Sequence, residues 1–523
     1  MKNILFYLLT SLCLIEHISA QEVNWLQREG GISYERSQSI IVDQDNFIYI
    51  TGGYNGNSQI GQQTLPAYGD EDIFISKHDQ NGNLEWVVTA GGAEQDLPFS
   101  INLDSETNVY VTGFMNNPCT FGDTTLTGMN NDQIFLAKYN SEGVFQWVRQ
   151  AGSYNQNWSK SVIVDSDDNI IIAGKIGADA SFEDTTIVGS NTLFIAKYNN
   201  NGDLLYAKSG DGYAGFNAIC SDESNNLFAT GQYHGELVLD GISTNCNSIY
   251  SFIVASFNPL GQTQWIYDGG GLASGNGTSI IVDFNDDLCF TYQFYDSTLF
   301  EGNQYYSNGN YDLILGKISN SGSLIWQKQI GGSNLWHDKT IAIDSYNNIY
   351  LTGTLRDTDY FDGIPITSQD DDVFVAKFTS NGNFCWLIQG SGIDQDQGTG
   401  ICLNNSNSKI FSIGTFNYTF DFDGHTVTTN GSSDFFLSEL SIISNVNETT
   451  SDNTFVLYPN PTNGIAKFSI ENIKSILVTN ELGKTILKKY DSNEIDLSNM
   501  QAGIYFIIIN TPTVTIVEKL VKQ

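Results

Sequence analysis

The chain has 523 residues, 59 of them acidic and 23 basic, for a formal net charge of −36. A surface this negative repels phosphate backbones and anionic lipid, which argues against nucleic acid or an acidic membrane as an ordinary partner. The length exceeds a single ordinary core, and 40% hydrophobic and 12% aromatic content is enough to fill several.

Residues 1–20 read as a signal peptide. Lys2 supplies the charged start, Ile4 to Ile15 an apolar run too short to span a bilayer, and Ile18-Ser19-Ala20 a small residue before a cut at Gln21. No later stretch is long enough to cross a membrane, so no transmembrane span is expected.

Beyond this segment one pattern recurs. Ile343 to Gly353 reads as strand, polar turn, strand and glycine, and Val42 to Gly52, Leu103 to Gly113, Val164 to Gly174 and Ser221 to Gly231 repeat it. Drifted copies run from Val282 to Tyr292 and from Leu403 to Gly414. A second marker, an aromatic following a glycine turn, falls at Trp86, Trp147, Tyr206, Trp265, Trp326 and Trp386, at spacings of 61, 59, 59, 61 and 60. Each unit is predicted to hold four short antiparallel strands, with near-continuous apolar runs in the first two. Units of this length and composition predict the blades of a propeller, because each has an apolar face that it cannot bury alone. The expected fold is therefore all-β: a seven-bladed β-propeller over 21–440, about 60 residues per blade. The seventh unit lacks its aromatic strand, whereas Trp25 sits on an orphan one. Val23 to Gln27 is expected to close the last blade and remove its open edge.

Three features within one blade, Gly331-Gly332, Asp344 to Gly353 and Asp372 to Lys377, resemble the seven-bladed propeller repeats called SBBP. The resemblance implies the fold and no particular ligand. Thr291-Tyr292 and Ile413-Gly414 depart from its Thr-Gly.

Residues 441–455 read as a Ser/Asn/Thr-rich linker. Beyond it the balance changes: residues 456–523 carry seven lysines against six acidic residues. Alternating strands there predict a small Ig-like β-sandwich. Its motif residues are Tyr458, Pro459, Asn460, Pro461 and Gly464, then Gly483, Gly503 and Tyr505. They resemble the type A C-terminal sorting domain of type IX secretion substrates in the Bacteroidota. The resemblance implies that the type IX machinery is a partner and that the product is secreted or held at the outer-membrane cell surface. It also implies that the tail is removed on export.

Chemistry is sparse. Asp165-Ser166-Asp167-Asp168-Asn169 and Asp43-Gln44-Asp45-Asn46 look like calcium-loop fragments, yet they lack the sixth-position Gly and the distal Glu of that loop. Turn capping is the expected role, no cofactor is expected, and calcium stays as a second reading. Lys77, Lys138, Lys197, Lys317 and Lys377 repeat at one blade position, which predicts pairing with a local carboxylate. Of the six cysteines beyond the signal, Cys220 and Cys246 are the nearest candidates for a bridge. No nucleophile elbow, metal-binding histidine pair or phosphate loop occurs, so no catalytic residue is assigned and no enzyme activity is expected.

The remaining candidates lie in loops that break the repeat: Tyr34, Trp158, Phe216 and Trp336-His337-Asp338. Exposed aromatics beside polar groups suit sugar rings. The expected function is that of a secreted or surface binding and adhesion module for a glycan or another surface protein. The alternatives are a polysaccharide-acting enzyme with carboxylates near the central channel and a structural component of the coat.

Overall fold

A computed structural model describes residues 21–442, apart from 129–131, 247–248, 270–274, 301–302, 333–339 and 393, and most of 457–522. The expected signal segment and linker lie outside the described residues. The chain divides into two compact units with the boundary between Ser441 and Ile442.

In the larger unit, seven antiparallel sheets follow one another along the chain, each built on a four-strand meander. Their first strands are Glu35–Val42, Leu97–Leu103, Trp158–Val164, Asp211–Ser221, Gly275–Val282, Thr340–Ile343 and Gln397–Leu403. Each first strand packs on that of the next sheet, and the seventh packs back on the first. The fourth position of the seventh sheet is filled by the N-terminal strand Gln21–Glu29, which pairs with Asp434–Ile442. The orphan Trp25 strand is thus where the spacing placed it. Second and third strands, such as Ile349–Leu355 and Gln133–Tyr139, are buried along their whole length. First strands, whose apolar runs suggest burial on both faces, instead alternate between buried and half-buried positions, as in Glu35–Val42. In several sheets a short hairpin from the following unit also extends the fourth strand, as Cys119–Phe121 does on Leu84–Gly92.

The recurring Asp is the organising residue of the first turn in six sheets, and Asn404 takes its place in the seventh. Asp344 Oδ1 accepts the backbone N–H groups of Tyr346 and Asn348, both at 2.9 Å, and Oδ2 accepts the Tyr350 hydroxyl at 3.0 Å. Asp43 and Asp104 make the same three bonds. The turn needs a left-handed residue three positions on, and Asn46, Asp168, Asn225 and Asn347 hold φ between 57° and 65° there. Asn and Asp tolerate that region better than other non-glycine residues, which explains their recurrence.

The repeated lysines are structural. Lys197 Nζ lies 2.6 Å from Asp165, Lys138 3.7 Å from Asp104 and Lys377 3.9 Å from Asp344, while Lys317 pairs with Asp283. Lys77 departs from this pattern: its ammonium lies over the rings of Phe47 and Tyr49 at 4.2 and 5.1 Å. The aromatic marker is a latch between sheets. The indole N–H of Trp86 donates to the Ser141 carbonyl at 3.1 Å, Trp265 to Asn320 at 2.9 Å and Trp326 to Ser380 at 3.1 Å. Each acceptor lies in the hairpin turn of the next sheet. The glycines of those turns, Gly143, Gly322 and Gly382, have φ between 74° and 84° and lie against the same indole rings. Trp386 has no such turn ahead of it, because the seventh sheet takes its last strand from the N-terminus. Its buried Nε1 makes no hydrogen bond.

The smaller unit forms two antiparallel sheets, one of three strands and one of four. Ala466, Phe468 and Ile495 from one sheet and Ile476, Val478, Ile507 and Ile509 from the other share a single core. Glu494–Asp496 is a short strand of the three-stranded sheet, and the last strand of the other runs over Thr515–Lys522.

Candidate functional site at the first strands

The first strand of each sheet carries a β-bulge at the same place wherever the strand is fully described. The register shifts between Ser37 and Ser39, Pro98 and Ser100, Ser159 and Ser161, Phe216 and Ala218, Gly277 and Ser279, and Gly398 and Gly400. A bulge leaves one residue unpaired and re-aims its side chain. The residues so released are Gln38, Phe99, Lys160, Asn217, Thr278 and Thr399, all half-buried and nearly all different. Everything around them repeats. The serine after the bulge links neighbouring sheets: Ser39 Oγ accepts Ile101 N–H, Ser100 Oγ accepts Val162 N–H and Ser161 Oγ accepts Ile219 N–H, at 3.4, 3.1 and 3.3 Å. Ser37 and Thr399 hydroxyls make the corresponding contact between the first and seventh sheets at 2.9 Å.

Across the second, third and fourth sheets the released Phe99 and Lys160 join Trp158, Lys175 and Tyr213 in a strip in which lysines alternate with aromatic rings. Lys160 Nζ lies 3.4 Å from the centroid of Phe99 and 5.6 Å from that of Trp158. Trp158 stands opposite Lys175 in the pairing of the third sheet. Lys175 Nζ lies 4.2 Å over the Tyr213 ring and 3.0 Å from its hydroxyl. Tyr213 meets Tyr250 at 5.8 Å and His234 at 6.4 Å between ring centroids. Burial lowers the pKa of Lys175, and no carboxylate is among the causes of that shift. The indole N–H of Trp158 donates to Asp132 at 3.0 Å, which fixes the ring plane. Such a strip offers aromatic surface and ammonium charge side by side, the pairing that binds an acidic sugar.

The expected ligand-binding residues fall in different places. Trp158 belongs to the strip. Tyr34 is 37% exposed beside Arg36, whose guanidinium is 6.0 Å from the ring and forms a two-point pair with Glu71 at 2.6 and 3.1 Å. Phe216 is a correction: it is 1% exposed and packs edge-on against Phe257 in the core, because it immediately precedes the bulge and keeps its place in the sheet. Trp336, His337 and Asp338 lie outside the described residues. Phe99, Lys175, Tyr213 and Tyr250 were not singled out from sequence. A bulge, which has no sequence marker of its own, releases Phe99, and the packing of the third sheet against the fourth brings Lys175 to Tyr213.

The loop aspartates considered for calcium spend their carboxylates on turn and tyrosine hydrogen bonds. Among the described residues no three His, Cys, Asp or Glu side chains converge as a metal centre. The Cys220–Cys246 bridge is also corrected. Both thiols are buried and unbridged, and they belong to different core clusters.

In the smaller unit Tyr458 lies in the strand Leu457–Tyr458 and Gly503 opens Gly503–Asn510. Gly464 is buried against Ser498, and a Cβ there would collide with its hydroxyl. Tyr505 is buried and donates its hydroxyl to the Gln501 carbonyl at 2.7 Å. Pro459, Asn460, Pro461 and Gly483 lie outside the described residues.

Residues 456–523 match the secretion system C-terminal sorting domain. The match assigns the chain to type IX secretion, with a cell-surface or secreted destination. No helix among the described residues is long and apolar enough to cross a membrane. Over 90% of its length the chain is 24% identical to an uncharacterized WD repeat-containing protein of Acanthamoeba polyphaga mimivirus, a match that covers 37% of the relative. It thus spans little more than a third of that relative. Similar solved structures include a protein of unknown function from Bacteroides caccae, at 11% identity and a TM-score of 0.34 over 60% of this chain and 89% of that one. The Pan2 WD40 domain of Neurospora crassa is similar at 7% identity and a TM-score of 0.31, over 82% of this chain and 98% of that one. These scores carry no argument, and the architecture rests on the strand pairing itself.

Proposed function

We propose that the larger unit is a closed seven-bladed β-propeller of the SBBP type. The tail, an Ig-like sandwich, delivers it to the surface of a bacterium of the Bacteroidota, where it binds an acidic glycan without turning it over. Closure is supported by the cyclic packing of the first strands and by the N-terminal strand seated in the seventh sheet. The binding reading is carried by one observation: lysines and aromatic rings alternate in contact from Phe99 through Lys160, Trp158 and Lys175 to Tyr213, and two of them, Phe99 and Lys160, stand at bulge positions whose residue varies from sheet to sheet. Uronic acids fit it, since ring C–H faces stack on aromatics while the carboxylate meets an ammonium.

The test is a glycan array probed with the purified full chain, followed by incubation with any bound polymer. Trp158→Ala and Tyr213→Ala are each expected to weaken binding by about tenfold or more, the effect of losing about 1.4 kcal/mol of contact. Uronate polymers should be preferred to neutral ones. Release of shortened product would replace this reading with an enzymatic one. Unaltered binding by both variants would move the site elsewhere.

A further inference from the structure

One backbone hydrogen bond recurs at the junctions between sheets. The residue entering the first strand of a sheet donates its N–H to the carbonyl just before the third strand of the preceding one. It is seen as Asp96 to Glu71 at 2.7 Å, Asn157 to Asp132 at 3.2 Å, Ala214 to Asn191 at 3.0 Å and Gly275 to Tyr250 at 3.0 Å. Asp396 to Asp371 at 2.8 Å and Glu35 to Ser433 at 3.0 Å complete the described set. The bond brings two side chains together: that of the donor and that of the first residue of the third strand. At three junctions the pair is uncharged: Asn157 with Gln133, Ala214 with Thr192 and Gly275 with Ser251. At the other three both members are acids: Asp396 with Asp372, Glu35 with Asp434 and Asp96 with Asp72. These three junctions are consecutive. They flank the seventh and first sheets, where the two ends of the chain meet.

All six acids are buried. Among the described residues, Glu35 Oε2, Asp434 Oδ1, Asp72 Oδ1, Asp96 Oδ2 and Asp396 Oδ2 have no hydrogen-bond partner. The vacant oxygens are aimed at the same places. A Cβ built on Gly30 would collide with Asp434 Oδ1 and lie 2.8 Å from Glu35 Oε2. Gly91 approaches Asp72 Oδ1 and Gly392 approaches Asp396 Oδ2 in the same way. A side chain at these positions would meet a carboxyl group, both acids of the pair at Gly30 and one of them at Gly91 and Gly392.

The surroundings are otherwise supplied with donors. Glu35 faces the Ser58 hydroxyl and the Gly31 N–H, with Asp434 opposite and Arg28 on the far oxygen of Asp434 at 2.7 Å. Glu29 lies alongside and accepts Gly61 N–H at 2.6 Å. Asp96 accepts Asn116 N–H at 2.7 Å and faces Asp72 and the Cys119 thiol. Asp72 accepts Tyr68 and Gly69 N–H and faces Asp70. Asp396 accepts Asn417 N–H at 3.1 Å and faces Asp372, Asp371 and Asp394, of which Asp371 is held by Arg356. Asp372 accepts Gln389 at 2.7 Å and Gly392 N–H at 3.4 Å. Glu35 and Asp434 each keep a vacant oxygen beside Gly30, Asp72 and Asp96 keep one each, and the third pair keeps one, on Asp396. Facing buried carboxyls do not both ionise at low cost.

We propose that the three acid pairs are proton-binding sites, each holding one proton on a vacant carboxyl oxygen, and that together they lock the seventh sheet into the ring. Burial and the facing carboxylates raise Glu35 and Asp96 to about 7 and Asp396 to about 8. Folded-state values above the ordinary carboxylate range mean that the protonated pairs contribute their full stability only below that range. That contribution is lost as pH rises from the ordinary carboxylate range through those values, with ionisation of the pairs.

The test is thermal unfolding of the full chain from about pH 5.5 to pH 8.5, beside Glu35→Gln, Asp96→Asn, Asp396→Asn and the triple variant, each of which carries the corresponding hydrogen permanently. The wild-type Tm should fall by several degrees across that window, each single variant should flatten part of the fall, and the triple variant should hold its acid-pH Tm. A wild-type Tm that is flat or rises with pH overturns the proposal, as does a triple variant with the wild-type slope. Should the variants fail to fold, wild-type hydrogen exchange decides. After correction for intrinsic rates, amides of Gln21–Glu29 and Gln397–Leu403 should open at least about tenfold more at alkaline than at acid pH, while those of Thr192–Tyr198 stay level. Uniform change across these strands is the opposing result. Recovery of the alkaline Tm on adding calcium chloride would make the pairs cation sites and also overturn proton binding.

Discussion

At the scale of single residues, the Asp of the recurring turn, the Lys two strands away and often a Tyr between them form one buried unit. Lys197 and Asp165 show it most cleanly, with a 2.6 Å contact and both side chains nearly inaccessible. The acid keeps its turn hydrogen bonds from Asp167 and Asn169 if the lysine is removed. Lys197→Met should therefore cost about 3 kcal/mol, at the low end for breaking a buried pair. Urea unfolding of the variant, with an unchanged m-value, measures this. The turn and the lysine were legible in sequence because they depend on local spacing and recur. The fate of Phe216 was not. A bulge shifts the register by one residue, and such a slip exchanges a core position for a released one.

At the scale of strands, the junctions between sheets depend on a tryptophan of one sheet and a glycine turn of the next. Trp86→Phe keeps the ring and removes the N–H that reaches the Ser141 carbonyl. It should cost about 1 kcal/mol, the net value of one hydrogen bond. Gly143→Ala should cost more, about 2 kcal/mol, since its φ of 77° is strained for alanine and its Cβ would meet the Trp86 ring at 2.9 Å. Thermal unfolding of the pair of variants ranks the two effects, and a Gly143→Ala variant as stable as wild type would remove the latch. The spacing of these aromatics revealed the period, and their partners became visible only with the sheets assembled. The unsatisfied indole N–H of Trp386 is the counterpart: it marks the one place where the chain, ending its repeats, supplies no turn to receive it.

At the scale of the whole molecule, two units with different charge balance serve two purposes. Deletion of Val456–Gln523 should leave the protein inside the outer membrane, as read by fractionation and immunoblotting. Export undiminished by that deletion would remove the sorting role from the tail. Seven strand–turn–strand repeats, the orphan strand at Trp25 and the sorting motif were determined by the sequence alone, since each is written in local periodicity or in fixed order of turn residues. Tertiary structure decided the rest. It set which residues the bulges release toward one another, placed Lys175 against Tyr213 from separate sheets, and paired Glu35 with Asp434 across nearly the full length of the chain. Such meetings depend on how sheets pack. Packing joins residues far apart in sequence, so no local pattern records it.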